Sequence, residues 1–288
     1  MNGSLNFKEK TFPLIVGQPK AGTTSLFGWL KEHPDICGAK LKEARFFLDE
    51  EYPLRRPLAF NGTNLDAYAD LFEESAKSVL MEASPDYLYC ETPLRVANLL
   101  PNARAVIIVR DPVERMISAF RFFKQRGLIS TKMSFDEYIA LQDECPVCAG
   151  TPVQYRALDH CRIRTYLTRW EAAFGERLLV LDFKDLKRSP LQVIERVCAF
   201  IGIAMPAVDE RSLVSENRSG RARSPGLARL YYALNRELGM AALKLPLLRR
   251  LLRPINRILK RGLIDDGPLE TFKPSDHAVE VIRAWADR

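Results

Sequence analysis

Residues 12–30 read FPLIVGQPKAGTTSLFGWL, and this stretch decides the fold. The apolar run from Phe12 to Val16 stops at a Gly/Pro/Lys/Gly turn, and a helical pattern begins at Thr23 and Thr24. The order is strand, phosphate loop, helix. Glycines let backbone N–H groups close around an anion, a helix N-terminus adds partial positive charge, and the two threonines supply hydroxyl donors. An ordinary strand-to-helix turn of an α/β domain shares this outline, so the neighbouring side chains must decide what the loop binds.

A triphosphate-binding P-loop needs a lysine directly after its second glycine. Gly17 and Gly22 have that separation, but Thr23 follows, and the lysine lies inside the loop as Lys20. A later apolar strand, AVIIV at 105–109, runs into Arg110 before Asp111. A cation therefore stands where a magnesium-binding aspartate commonly ends the strand. These features predict a metal-free, arginine-assisted nucleotide site.

PKAGTTSL (19–26) resembles the 5′-phosphosulfate loop of sulfotransferases that use 3′-phosphoadenosine 5′-phosphosulfate (PAPS). VIIVRDPVERMISAF (106–120) resembles their 3′-phosphate motif, with a serine eight residues after the arginine. KEARFF (42–47) and MEASPDYL (81–88) resemble segments of the carbohydrate, heparan-sulfate-type branch and its bacterial relatives. The resemblance runs from about Phe12 to Ile203. It implies an α/β, P-loop-NTPase-like three-layer fold, with a central, mainly parallel sheet flanked by helices. It also implies that Lys20, Ala21, Gly22, Thr23, Thr24 and Ser25 hold the 5′-phosphosulfate, while Arg110 and Ser118 hold the 3′-phosphate. Lys42, Glu43, Arg45 and Tyr87 then lie toward the acceptor.

Glu82 closes a predicted parallel strand, Ser78 to Glu82, before Ser84 and Pro85 break it. Open α/β sheets place their ligand crevice at such carboxyl ends. A partly buried carboxylate there can take the proton that an alcohol loses as it attacks. The resemblance points to the same residue as base, with Lys20 as the second catalytic group. Ala83 departs from the pattern, since those enzymes commonly carry lysine at that place.

The chain has 288 residues and 47% hydrophobic content, enough for one substantial core. A single sulfotransferase domain is expected over 1–288: an extension (1–11), a nucleotide-binding core (12–203) and a basic, mainly helical segment and lid (209–288). No uninterrupted apolar run reaches the roughly 18 residues of a membrane span. MNGSLNFKEK lacks the apolar stretch of a signal peptide. The expected location is cytoplasmic; a Golgi lumen location would need an anchor ahead of this sequence. Cys145 and Cys148 form a lone C-x-x-C, without the second pair that a zinc site wants. No metal and no nucleic-acid partner are expected.

Further expected elements are a helix capped by Asn64 with Leu65, Tyr68, Leu71 and Phe72 inward, and helices over 92–100, 113–126, 135–141 and 190–201. A fourth strand is expected at 178–181, and a terminal helix after Pro274. That helix lacks a leucine-rich ending, which reads as truncation. Residues 218–262 hold twelve Lys/Arg against one acid, Glu237, a net +11 that leaves −4 for the rest of the chain. Its start makes Arg218, Arg221 and Arg223 candidates for a basic loop over the 3′-phosphate. The stretch 243–262 alternates basic residues with leucine and isoleucine, which suits lid packing first and peripheral membrane contact second.

The function implied is transfer of a sulfuryl group from PAPS to a hydroxyl of a carbohydrate, glycolipid or small natural product, releasing 3′-phosphoadenosine 5′-phosphate (PAP). Two rivals share the loops: a Mg-ATP small-molecule kinase with a divergent P-loop, and a non-catalytic nucleotide- or membrane-binding protein.

Overall fold

A computed structural model describes residues 7–56, 59–62, 65–73, 76–145, 147–206, 213, 221–222, 226–227, 264–265 and 272–288. The first elements are β1 (Phe12–Gly17), α1 (Thr23–Lys31), β2 (Ile36–Gly38), α2 (Asp66–Ala69), β3 (Val79–Ala83) and α3 (Thr92–Leu99). Next come β4 (Ala103–Val109), α4 (Pro112–Gln125), α5 (Phe135–Glu144), α6 (Ile163–Phe174) and β5 (Leu178–Asp182). The last are α7 (Phe183–Arg188), α8 (Pro190–Ile201), β6 (Arg221–Ala222), β7 (Ile264–Asp265) and α9 (Asp276–Ala286). They divide into two compact units, one of residues 1–111, 162–217 and 288, the other of 112–161 and 218–287.

The first unit holds a five-stranded sheet in the order β2-β3-β1-β4-β5, with every pairing parallel. Continuous apolar sequence at β1 and β3 is buried at every position, as expected for strands covered on both faces. Because successive side chains alternate, Phe12, Leu14 and Val16 enter one core with Leu80, Ile107, Tyr68, Trp170 and Phe174. Ile15, Met81, Val106 and Ile108 enter the other with Leu26 and Leu30 of α1 and Val193, Ile194 and Val197 of α8. Helices thus cover both faces, giving three layers. The chain leaves β1 for β2 and β3 on one side and returns for β4 and β5 on the other. The carboxyl end of β1 is therefore the switch point, where open α/β sheets bind ligands.

The sequence reading missed β2, whose three residues Ile-Cys-Gly carry no pattern of their own and are set by pairing with Val79–Met81. Asn64 lies outside the described residues. The helix expected there is the single turn α2, its N-cap is Leu65, and Leu71 and Phe72 follow it as buried loop residues.

In the second unit α4, α5 and α9 share a core of Met116, Phe120, Phe135, Tyr138, Ala278 and Ile282. Ser134 caps α5 in a reciprocal box with Glu137. The Ser275 hydroxyl donates to Asp136 at 2.6 Å, and Trp285 Nε1 donates to Asp143 at 2.6 Å, fastening α9 to α5. β6 and β7 pair antiparallel.

Candidate active site

The loop after β1 is shaped by close approach. A Cβ on Gly17 would lie 2.6 Å from Leu88, and one on Gly22 would lie 2.4 Å from Leu186. Gly22 also has φ 85°, a left-handed conformation that only glycine adopts without strain. It stands at the N-cap of α1, so no side chain caps this helix, and its first turn has no acid. The N–H groups of Thr23, Thr24 and Ser25 have no partner within the helix. An uncapped, dipole-positive helix start suits a phosphate or sulfate group.

Lys20 has φ 73°, unusual for a side chain with a Cβ. Its carbonyl accepts from Arg110 Nη1 at 2.9 Å, while the Arg110 N–H donates to Gln18 Oε1 at 3.1 Å. The Arg110 guanidinium also lies over the Phe183 ring, 4.4 Å from its centroid. The end of β4 and the phosphate loop are thus tied together, with Arg110 held by its backbone, by the loop and by an aromatic face. Gln18 and Phe183 were not singled out from sequence. Phe183 lies in the DFKDL stretch directly after β5, a place that could have drawn attention.

Lys42, Glu43 and Arg45 form one ion-pair cluster at the carboxyl end of β3, beside β1 in the sheet. Glu43 Oε1 meets Lys42 Nζ at 3.0 Å and Oε2 meets Arg45 Nη2 at 2.7 Å, with the Glu43 side chain 35% exposed. Glu43 and Arg45 have φ 61° and 60°, so with Lys20 the three left-handed non-glycine residues among the described ones all belong to candidate site segments. Arg45 also faces Asp86 at 3.8 Å, and Asp86 accepts from the Tyr52 hydroxyl at 3.0 Å. Burial raises the Asp86 carboxyl, an effect opposed by Arg45.

Glu82 differs from the expected, partly buried carboxylate: it is 0% exposed. Ser84 Oγ donates to it at 2.5 Å, Tyr87 Oη at 3.0 and 3.1 Å, and Tyr68 Oη at 3.3 Å. Tyr87 is likewise 1% exposed, engaged with Glu82 and with the Phe47 N–H. The physical reason is strand alternation: Glu82 shares the face of Leu80, which is packed with Tyr68 and Phe47. Burial pushes the Glu82 carboxyl from 4.5 to about 7, against the opposing pull of the Ser84, Tyr87 and Tyr68 hydroxyls.

A proton is therefore held more tightly in the fold than in the unfolded chain between those values. The stability contributed is complete below the unfolded pKa and is lost as pH rises through about 7. Glu82→Gln should remove this dependence. Denaturation of both proteins across that window is expected to show the wild type losing about 3 kcal/mol relative to the variant. Parallel curves would show that Glu82 does not titrate this way.

Of the other candidates, Ser118 is half-buried on α4 in the second unit. Arg221 lies in β6, while Arg218, Arg223 and the stretch 243–262 lie outside the described residues. Cys145 and Cys148 are exposed free thiols. Among the described residues no cluster of three His, Cys, Asp or Glu could hold a metal ion, and no helix is long and apolar enough to cross a membrane.

The chain is similar to known proteins in sequence and in fold. The bifunctional heparan sulfate N-deacetylase/N-sulfotransferase 1 of Xenopus tropicalis is 31% identical over 228 residues, 74% of this chain. The human protein of the same name is 29% identical over the same length. The chain spans only 25% of either relative. A sulfotransferase crystal structure from Alicyclobacillus acidocaldarius superposes with TM-score 0.61 at 29% identity, covering 83% of this chain and 98% of that one. Residues 14–207, about two thirds of the sequence, match the sulfotransferase family, and the chain belongs to that family.

Proposed function

We propose that this enzyme transfers the sulfuryl group of PAPS to a hydroxyl of a carbohydrate, glycolipid or small natural product, releasing PAP. The observation that carries the reading is the convergence, at the carboxyl ends of β1, β3 and β4, of the uncapped α1 N-terminus, Lys20, an anchored Arg110 and the open carboxylate of Glu43. These residues fit a bound anionic nucleotide: Gly22 gives close backbone approach, the α1 amides face an anion, and Arg110 is already held in place. When bound, PAPS supplies an activated sulfuryl group.

The loop amides and Thr23 to Ser25 hold the 5′ end, and Arg110 holds the 3′-phosphate with its fork of donors. Lys20 neutralises charge developing on the leaving oxygen. Glu43, rather than Glu82, removes the acceptor proton: Glu43 is partly open to solvent, whereas three hydroxyls enclose Glu82 away from any acceptor. Lys42 and Arg45 keep the Glu43 carboxylate in place. The N-sulfotransferase relatives support a second reading in which the acceptor is an amine, and an acceptor screen with both classes separates the two. Six free thiols suit a reducing compartment, so the proposed location is cytoplasmic.

Calorimetry tests the nucleotide site. PAP is expected to bind without metal and more tightly than AMP or ATP with Mg²⁺, and Arg110→Ala should weaken PAP by roughly 10- to 100-fold. Tighter binding of Mg-ATP, or no loss in the variant, would overturn the assignment.

A further inference from the structure

Three alternate backbone amides of the loop after β2 are tied to the end of β3 and the turn that follows. Glu43 N–H donates to the Ala83 carbonyl at 2.8 Å, Arg45 N–H to Ser84 Oγ at 2.9 Å and Phe47 N–H to Tyr87 Oη at 3.1 Å. Two of these acceptors are hydroxyls, which can donate as readily as accept. Glu82 removes that freedom. Above about pH 7 the Glu82 carboxylate is ionised and offers only lone pairs, so the Ser84 and Tyr87 protons turn toward it and their oxygens are left to receive the loop amides. Glu82, Ser84, Tyr68 and Tyr87 are each 0–1% exposed, so bulk water does not compete for these bonds. The loop needs such ties, because Glu43 and Arg45 are left-handed, a conformation that a residue with a Cβ keeps only where its surroundings hold it.

We infer that Glu82 is a positioning residue: its buried carboxylate orients the Ser84 and Tyr87 hydroxyls so that they clamp the 43–47 loop and fix Glu43 for proton removal. This rests on the reading of Glu43 as the base. Glu82→Leu removes both acceptor oxygens and leaves the Ser84 and Tyr87 hydroxyls free to turn, whereas Gln can keep an oxygen at the Oε1 place that both hydroxyls use and present its NH₂ to Tyr68. Ser84→Ala and Tyr87→Phe each remove a single tether, whereas Ser84→Thr keeps the hydroxyl.

The test is amide hydrogen exchange on the whole chain, followed residue by residue. Ser84→Ala should speed exchange at Arg45, and Tyr87→Phe at Phe47, each by about tenfold. Ser84→Thr should restore wild-type protection. At pH 8 Glu82→Leu should speed exchange at both amides, although Glu82 bonds neither amide itself. The Leu80 amide, which bonds Thr11 within the sheet, should be unchanged throughout. Wild-type exchange at 45 and 47 in Glu82→Leu, or equal loosening across β3, would overturn the inference. If Glu82→Leu does not fold, Glu82→Met, which fills the space without an acceptor oxygen, decides in its place.

A kinetic arm uses PAPS labelled in its sulfuryl group with a free-amine glucosamine oligosaccharide as probe. Ser84→Ala should lower kcat about tenfold at similar KM, and lower it no further in a Glu43→Gln background. An equal loss in both backgrounds would mean that the clamp does not act through Glu43. Normal turnover of Glu43→Gln alone would instead remove the base assignment, and the exchange data would still decide the clamp.

Discussion

Glu43→Gln is expected to fold, to bind PAP as the wild type does, and to lose roughly 10²- to 10⁴-fold in turnover. Gln keeps the length of the side chain and leaves the backbone bond from Glu43 to Ala83 intact, so the left-handed loop has no reason to move. Proton acceptance is removed. The ion pairs to Lys42 and Arg45 are also weakened, but these are partly solvated and contribute at most about 1 kcal/mol to stability. Turnover, melting temperature and PAP affinity measured together check this. Wild-type turnover would exclude Glu43 and return attention to Glu82.

Lys20→Ala should cost a comparable factor, about 10²- to 10³-fold in turnover, through loss of charge stabilisation at the leaving oxygen. Arg110 should stay in place in this variant, because it bonds the Lys20 carbonyl and not its amine. A comparison with Lys20→Gly sharpens the result. Both variants lack the amine, but only glycine relieves the strain at φ 73°, so the glycine variant should be the more stable by about 1 kcal/mol and equally inactive. Strain would be irrelevant if the two melted alike. Lys20 would lie outside the mechanism if either turned over normally.

How much of this was legible depended on the element. β1, its loop and α1 were readable because a doubly covered strand is a continuous apolar run, and the glycines mark where backbones crowd. β4 and Arg110 were readable for the same reason. β2 was not, since three residues hold their place through pairing alone. Glu82 is the instructive case. A carboxylate at a strand end looked well placed, yet whether it faces the crevice or the core depends on strand parity, and the pairing of Glu82 with the face of Leu80 places it among aromatics. Parity could have been counted from VLMEA. The left-handed turns at Glu43 and Arg45 could not, because neither is glycine and only the ties to Ala83 and Ser84 hold them.

The most direct measurement of the central claim follows label from PAPS, marked in its sulfuryl group, into a panel of hydroxyl and amine acceptors, with and without a metal chelator. Label is expected to reach at least one acceptor, at a rate the chelator leaves unchanged and the Lys20→Ala variant lowers about 10²- to 10³-fold. Failure of transfer from PAPS together with Mg²⁺-dependent phosphoryl transfer from ATP would contradict the account.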